Sequence, residues 1–179
     1  MGYYTIPAAD YQRVRSYLNA SHEVGGYFEI RGSHIIPIIS SNGDASNVMV
    51  SPNKPLVFHT HPGMCSSKLN CSLGVPSSQD MRQILDASTI GNVAHFIFAH
   101  EGVYVVQARC GLLEQYMRNK SIGDSIKKRF KDFQDQFLHT KLDYNTWIRK
   151  WLGFANSMGF SVKFSSSSSP SFSISRKCF

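Results

Sequence analysis

Acidic residues are scarce in the last third of this chain. Only five of its 12 Asp and Glu lie beyond residue 110, against 12 of its 19 Lys and Arg. Residues 1–110 hold seven of each sign, so the formal charge of +7 belongs entirely to the C-terminal part. Such an excess could be a footprint for nucleic acid, an anionic surface or an acidic partner, though a solvated basic helix face followed by a basic tail is the plainer reading. Long apolar runs are missing as well. No stretch approaches the roughly 20 residues that cross a bilayer, so no membrane span is expected. Cysteine is limited to Cys65, Cys71, Cys110 and Cys178 at irregular spacing. That is no disulfide framework, and it suits a reducing compartment. The opening MGYYTIPAADYQRVR has no basic segment leading into an apolar one. No secretory leader is therefore expected, and the Asn-x-Ser sequons at Asn19, Asn70 and Asn119 carry no weight. The expected location is intracellular, in cytosol or nucleus, and not secreted. There is no Gly-rich phosphate loop and no internal repeat, which removes nucleotide-loop and solenoid readings.

What is present is a globular chain, 42% hydrophobic and 12% aromatic over 179 residues. This is enough for one domain with a substantial core. Helix and strand signals alternate. PAADYQRVRSYLNAS carries Tyr11, Val14 and Leu18 at helical spacing behind Pro7. Strands are expected at 23–30, 34–40, 47–51 and 55–61, with turns at Arg31-Gly32-Ser33 and Asn42-Gly43-Asp44. PSSQDMRQILDAS opens a helix with Ser77 or Ser78 as its cap and Met81, Ile84 and Leu85 as its apolar stripe. AHFIFA and VYVVQA form a hairpin around Glu101-Gly102. Beyond residue 110 the pattern turns helical. Ile126, Phe130, Phe133 and Phe137 share one face, and Asp143 caps a helix bearing Tyr144, Trp147, Ile148 and Trp151. These aromatics read as packing residues. The Ser-rich ending SSSSSPSFSISRKCF reads as a flexible tail that orders only against a partner. The expected organisation is a core at 1–110, a helical part at 111–164 packed on it, and a basic tail at 165–179.

Within this pattern PLVFHTHPGMCSS places two histidines at the end of an apolar strand. Side chains at i and i+2 of a strand share one face, so His59 and His61 project together. Pro62 then stops the ladder. Such a pair could hold one metal ion, or could be two polar residues at a sheet edge; the spacing alone leaves both open. A catalytic zinc takes three protein ligands and keeps one position open. The economical third ligand is a carboxylate in the first turn of a nearby helix, where the positive helix end also suits it. Asp80 sits there. The zinc-protease pattern His-Glu-x-x-His fails at HEVGG, where Gly26 stands in place of the second histidine.

Glu23, then His59-Thr60-His61-Pro62, then Ser77-x-x-Asp80, in this order, resembles the signature of the JAMM (MPN-plus, or JAB-domain) zinc metallopeptidases. The resemblance covers roughly residues 5–108, including the helix before Glu23 and the hairpin HFIFAHEGVYVV after the Ser-x-x-Asp helix. It implies an α/β fold with a curled mixed or largely antiparallel sheet flanked by helices, JAMM/MPN-like and thus cytidine-deaminase-like, to which C-terminal helices are added. The chain departs from the family in one respect. Eighteen residues separate His61 from Asp80, where the family usually has ten. An added loop costs little closure entropy. Asp86 is the poorer alternative ligand because no serine stands three residues before it. Cys65 and Cys71, within the added loop, read as incidental.

The resemblance also implies a mechanism. His59, His61 and Asp80 would hold Zn²⁺, Glu23 would act as general base and then acid, and Ser77 would donate to the developing oxyanion. Glu23, followed by Gly25 and Gly26, offers no packing reason for itself. His22, His34, His95, His100 and His139 read as ordinary polar or packing residues. The implied activity is zinc-dependent hydrolysis of a peptide or isopeptide bond, with a ubiquitin-like protein or a peptide as substrate, including ubiquitin-like deconjugation or processing. Bacterial, phage and large-virus members resemble this compact form, which extends the expected location to a virus particle. The alternative is a structural or assembly protein that carries the fold and is anchored by its basic C-terminus.

Overall fold

Continuous apolar runs build the centre of the sheet, and alternating runs build its edges. The computed structural model describes residues 2–43, 53–62, 74–137 and 143–178. In chain order its elements are β1 (Gly2–Thr5), α1 (Ala8–Arg15, extended by a 3-10 turn Ser16–Asn19), β2 (Val24–Arg31), β3 (His34–Asn42), β4 (Leu56–Thr60) and α2 (Ser78–Ser88). They continue as β5 (Ala94–Ala99), β6 (Gly102–Ala108), α3 (Cys110–Arg118), α4 (Ser121–Phe137), α5 (Tyr144–Ser157), β7 (Phe160–Ser165) and β8 (Ser171–Ile174). The strand expected at 47–51, together with Cys65, Cys71, Asn70 and His139, lies outside the described residues.

The eight described strands form one mixed sheet in the order β7-β6-β5-β4-β2-β3-β1-β8. The β1–β3 and β4–β5 pairs are parallel. All other neighbours are antiparallel. The sheet nearly closes on itself, because Lys163 of edge strand β7 donates from Nζ to the Ser173 hydroxyl of edge strand β8 at 2.5 Å. The expected α/β architecture, a mixed sheet flanked by helices, is therefore what the chain forms.

Each face of the sheet has its own core. On one face Phe28, Phe58, Phe96 and Phe98 pack with Tyr11, Val14 and Leu18 of α1 and its 3-10 extension and with Phe172 and Ile174 of β8. The Phe28 ring lies 4.7 Å from Phe96 and 5.2 Å from Phe58, within the range of favourable aromatic pairs. On the other face Ile97, Tyr104 and Val106 meet Met81, Ile84 and Leu85 of α2, then Tyr116, Phe130 and Trp151 of the later helices. The stripe expected on α4 holds for Ile126 and Phe130, which are buried. Phe133, at its far end, stacks between Trp147 and Phe154 with ring centroids 5.7 and 4.1 Å away.

Three expectations need correction. Residues 165–179 are not a free tail. Ser171–Ile174 pairs along the whole of β1, and Phe172 and Ile174 are buried. The period-2 alternation of Ser-Phe-Ser-Ile makes a half-buried strand, and its serines disguise it as low-complexity sequence. The part from 111 to 164 is not purely helical either, since β7 buries Phe160 and Val162 and pairs with β6. Finally, Cys110 and Cys178 are not separate thiols. A disulfide joins them across 68 residues and ties the chain end to the start of α3.

Candidate metal centre

Strand β4 ends where the sheet meets the first turn of α2. Its burial is complete from Leu56 to Thr60. Leu56, Phe58 and Thr60 point to the aromatic face, and His59 points to the opposite one, as the strand pleat requires. His61 follows with its backbone N–H donating to the Phe98 carbonyl at 2.8 Å. The two rings meet with Nε2 atoms 3.0 Å apart.

Asp80 reaches the pair from α2. Its Oδ1 lies 3.3 Å from His59 Nε2 and its Oδ2 lies 3.2 Å from His61 Nε2. The helix start that holds Asp80 is a capping box. Ser77 Oγ accepts the Asp80 backbone N–H at 3.1 Å, and Asp80 Oδ2 accepts the Ser77 backbone N–H at 2.6 Å. Two otherwise orphaned helix donors are thereby satisfied, and the carboxylate is aimed. The long connection after His61 has therefore kept Asp80 at the histidine pair. Asp86 is engaged elsewhere on α2, bonded to Arg82 and to the Tyr116 hydroxyl.

One nitrogen or oxygen from each of His59, His61 and Asp80 falls within 4.8 Å of the others, and these three could hold a metal ion. A tetrahedral ion with bonds of about 2.1 Å separates its donors by about 3.4 Å. The two Nε2 atoms, 3.0 Å apart, lie close to that, and each stands 3.2–3.3 Å from one oxygen of the Asp80 carboxylate. His61 is also held from behind, its Nδ1 being 3.1 Å from the Gly74 carbonyl oxygen. A proton on Nδ1, donated to that carbonyl, leaves Nε2 bare for a ligand role. A side chain at 74 is impossible as the chain stands, since a Cβ there would come within 2.4 Å of Ala99 Cβ.

Glu23 stands just before β2, buried to 8% exposure. Thr60, the middle residue of His-Thr-His, fixes it from the neighbouring strand. The Thr60 hydroxyl accepts the Val24 N–H at 2.9 Å and donates to the Val24 carbonyl at 3.4 Å. The Glu23 carbonyl accepts the Gly43 N–H at 2.8 Å. Gly26 has a packing reason of its own. The β2–β3 register shifts between Gly25 and Gly26, and a Cβ on Gly26 would meet the Ile38 carbonyl oxygen at 1.9 Å.

Charge in this corner follows from burial and proximity. Burial lowers the pKa of His61, but the Asp80 carboxylate, with help from Glu23, outweighs it and raises the value. Burial raises that of Asp80, and the two imidazoles outweigh it, holding the carboxyl well below its usual range. Without an ion the corner thus favours a protonated His61 facing an ionised Asp80 carboxylate, and binding of a cation would displace that proton.

Of the five residues expected at the site, the structure brings His59, His61 and Asp80 together, places Ser77 in the capping box that aims Asp80, and buries Glu23 close enough to act on the charge of His61. Three contributors were not foreseen: Thr60, whose hydroxyl places the start of β2; Gly74, hidden in the added loop; and His95 on β5. His95 is 3% exposed, and burial followed by the neighbouring His59 depresses its pKa to about 3. It is a neutral imidazole behind the histidine pair.

Compared with models of known protein families, with curated proteins and with solved structures, the chain finds no match in any of the three. No described helix is long and apolar enough to cross a membrane.

Proposed function

We propose that this chain is a zinc-dependent hydrolase of peptide or isopeptide bonds, of the JAMM/MPN-plus kind, acting on a ubiquitin-like protein or a peptide. The observation that carries the reading is the gathering of His59, His61 and Asp80 from a strand end and a capped helix, with buried Glu23 close enough to act on the charge of His61. A two-nitrogen, one-oxygen donor set that leaves a fourth position open suits catalytic zinc better than a closed structural site. When bound, zinc would supply Lewis-acid polarisation of the scissile carbonyl and a water acidified to near neutrality.

The chain's own groups account for the rest. Glu23 takes the proton of the attacking water and delivers it to the leaving amine. The Ser77 hydroxyl, whose lone pair accepts the Asp80 N–H, keeps its own proton to donate to the developing oxyanion. Thr60 holds the β2 start that carries Glu23, and Gly74 holds the ring of His61.

The alternative of an assembly protein anchored by its C-terminus loses part of its basis. The segment that would anchor it is a paired strand and a disulfide-tied end. The exposed Arg176 and Lys177 remain for an acidic partner, whereas on α4 Lys128 and Lys131 are already paired with Asp132 and Asp135.

The test is zinc content by atomic emission together with cleavage of a ubiquitin-type isopeptide substrate. Wild-type protein should carry one zinc and cleave. His61→Ala should lose both. Glu23→Gln should keep its zinc and lose about 10²–10⁴-fold in rate, the scale of general acid–base catalysis. Wild-type protein that takes up no zinc overturns the proposal.

A further inference from the structure

His59 and His61 face the same carboxylate, yet they differ at their backs. His61 has the Gly74 carbonyl at its Nδ1. His59 Nδ1 is fully buried and has no hydrogen-bond partner among the described residues. A metal-ligating imidazole needs its second nitrogen held, since that bond fixes both the tautomer and the ring plane. A buried polar atom with no partner costs stability.

A second orphan lies beside it. His95 Nε2 is also buried without a partner among the described residues. Strands β4 and β5 run parallel, with His59 opposite Ile97 and Val57 opposite His95. Residues 57, 59, 95 and 97 therefore share one face, and His59 and His95 are diagonal neighbours on it. Two buried imidazoles on adjacent strands thus each have one unused nitrogen. One, as a metal ligand through Nε2, must carry a proton on Nδ1. The other is a neutral ring that can leave its Nε2 bare.

We propose that His95 is a positioning residue for the metal corner: one buried water accepts the Nδ1–H of His59 and donates to His95 Nε2, and so presents His59 Nε2 to the ion. This inference rests on the metal reading and adds to it the group that does for His59 what Gly74 does for His61. His95 is not itself a ligand, as it falls outside the group of donors within reach of one ion.

The experiment measures zinc affinity by competition with a chromophoric chelator, and imidazole protonation by ¹⁵N NMR, in full-length wild-type, His95→Leu and His95→Gln proteins. His95→Leu should bind zinc about 10–100-fold more weakly, the usual effect of losing an outer partner. His95→Gln, which retains an acceptor oxygen, should recover most of that loss. A merely space-filling role for His95 would give no such rescue. In the wild-type spectrum His59 should be protonated at Nδ1, and His95 should have a bare Nε2. That reading needs no variant and stands even where His95→Leu folds poorly. A His95 ring protonated at Nε2, or a folded His95→Leu protein with unchanged zinc affinity, overturns this inference alone. Wild-type protein that binds no zinc overturns it together with the metal reading.

Discussion

The three central strands β4, β5 and β6 present two unlike faces. Toward α1 they show Leu56 and Phe58, then Ala94, Phe96 and Phe98, then Val103 and Val105, all buried in one apolar cluster. Toward α2 the same strands show His59 and His95 among Ile97, Ala99, Tyr104 and Val106. One residue's step along a strand separates a ring that needs only contact from a ring that needs a hydrogen-bond partner. The apolar face can be judged by area and packing, whereas the polar face carries buried groups that cost stability until they are paired. The difference teaches where each property resides. Both faces bury apolar area, while the buried polar groups, and with them the chemistry proposed for this chain, gather at the corner where β4 runs out under α2.

The heaviest blow to this division is removal of residues 171–179. The deletion strips Phe172 and Ile174 from the aromatic face, each worth about 1.5–3 kcal/mol on burial. It also cuts a disulfide spanning 68 residues, a constraint worth about 2–4 kcal/mol. Against a total stability of about 5–15 kcal/mol, the shortened chain should unfold or melt far below the full protein. Thermal melting followed by circular dichroism decides it. A truncated chain that melts like the full one would show that β8 adds nothing to the aromatic face.

Phe96→Ala is the next largest. Phe96 is fully buried and its ring contacts Phe28 and Phe172 at 4.7 and 5.9 Å, so the cavity should cost about 3–5 kcal/mol. Zinc affinity, measured under conditions where the variant is folded, should stay within a few-fold of wild type, because the lost ring is on the other side of the sheet from His59. Urea unfolding and chelator competition test the two halves. A large fall in affinity would mean that the faces are coupled and the comparison too simple.

How much of this was legible in the sequence follows the same divide. LVFHT and AHFIFA were legible as strands because a short apolar run bounded by turn signals is a local feature, and the two-residue strand period then puts His59 and His61 on one face. His59, His61 and Asp80 were legible from residue type and order, and the capping box marked the start of α2. What escaped was non-local. The pairing of β8 with β1, and of Cys110 with Cys178, depends on chain segments more than 60 residues apart that carry no mutual signal. Gly74 sits in what reads as an inserted loop, yet its carbonyl meets His61. His95 looks like one polar interruption of an apolar strand, and its neighbour appears only once the parallel register of β4 and β5 is known.

The smallest expected effect separates two roles assigned to one atom. Ser77 caps α2 by accepting the Asp80 N–H, and in the proposed reaction the same hydroxyl donates to the oxyanion. Replacing a serine cap with alanine costs about 0.5–2 kcal/mol, whereas glycine at a cap costs only a few tenths. Either replacement removes the hydroxyl completely. Ser77→Ala should therefore be measurably less stable than Ser77→Gly. Both should lose the same factor in kcat, about 10²–10³-fold for one oxyanion donor. If capping were the whole contribution, activity would follow stability and the glycine variant would cleave nearly as well as wild type. Equal losses of kcat with unequal melting temperatures would assign the hydroxyl proton to the reaction and its lone pair to the helix. Zinc content should stay at one per chain in both variants, because Asp80 keeps its other capping bond, accepted from the residue 77 backbone N–H.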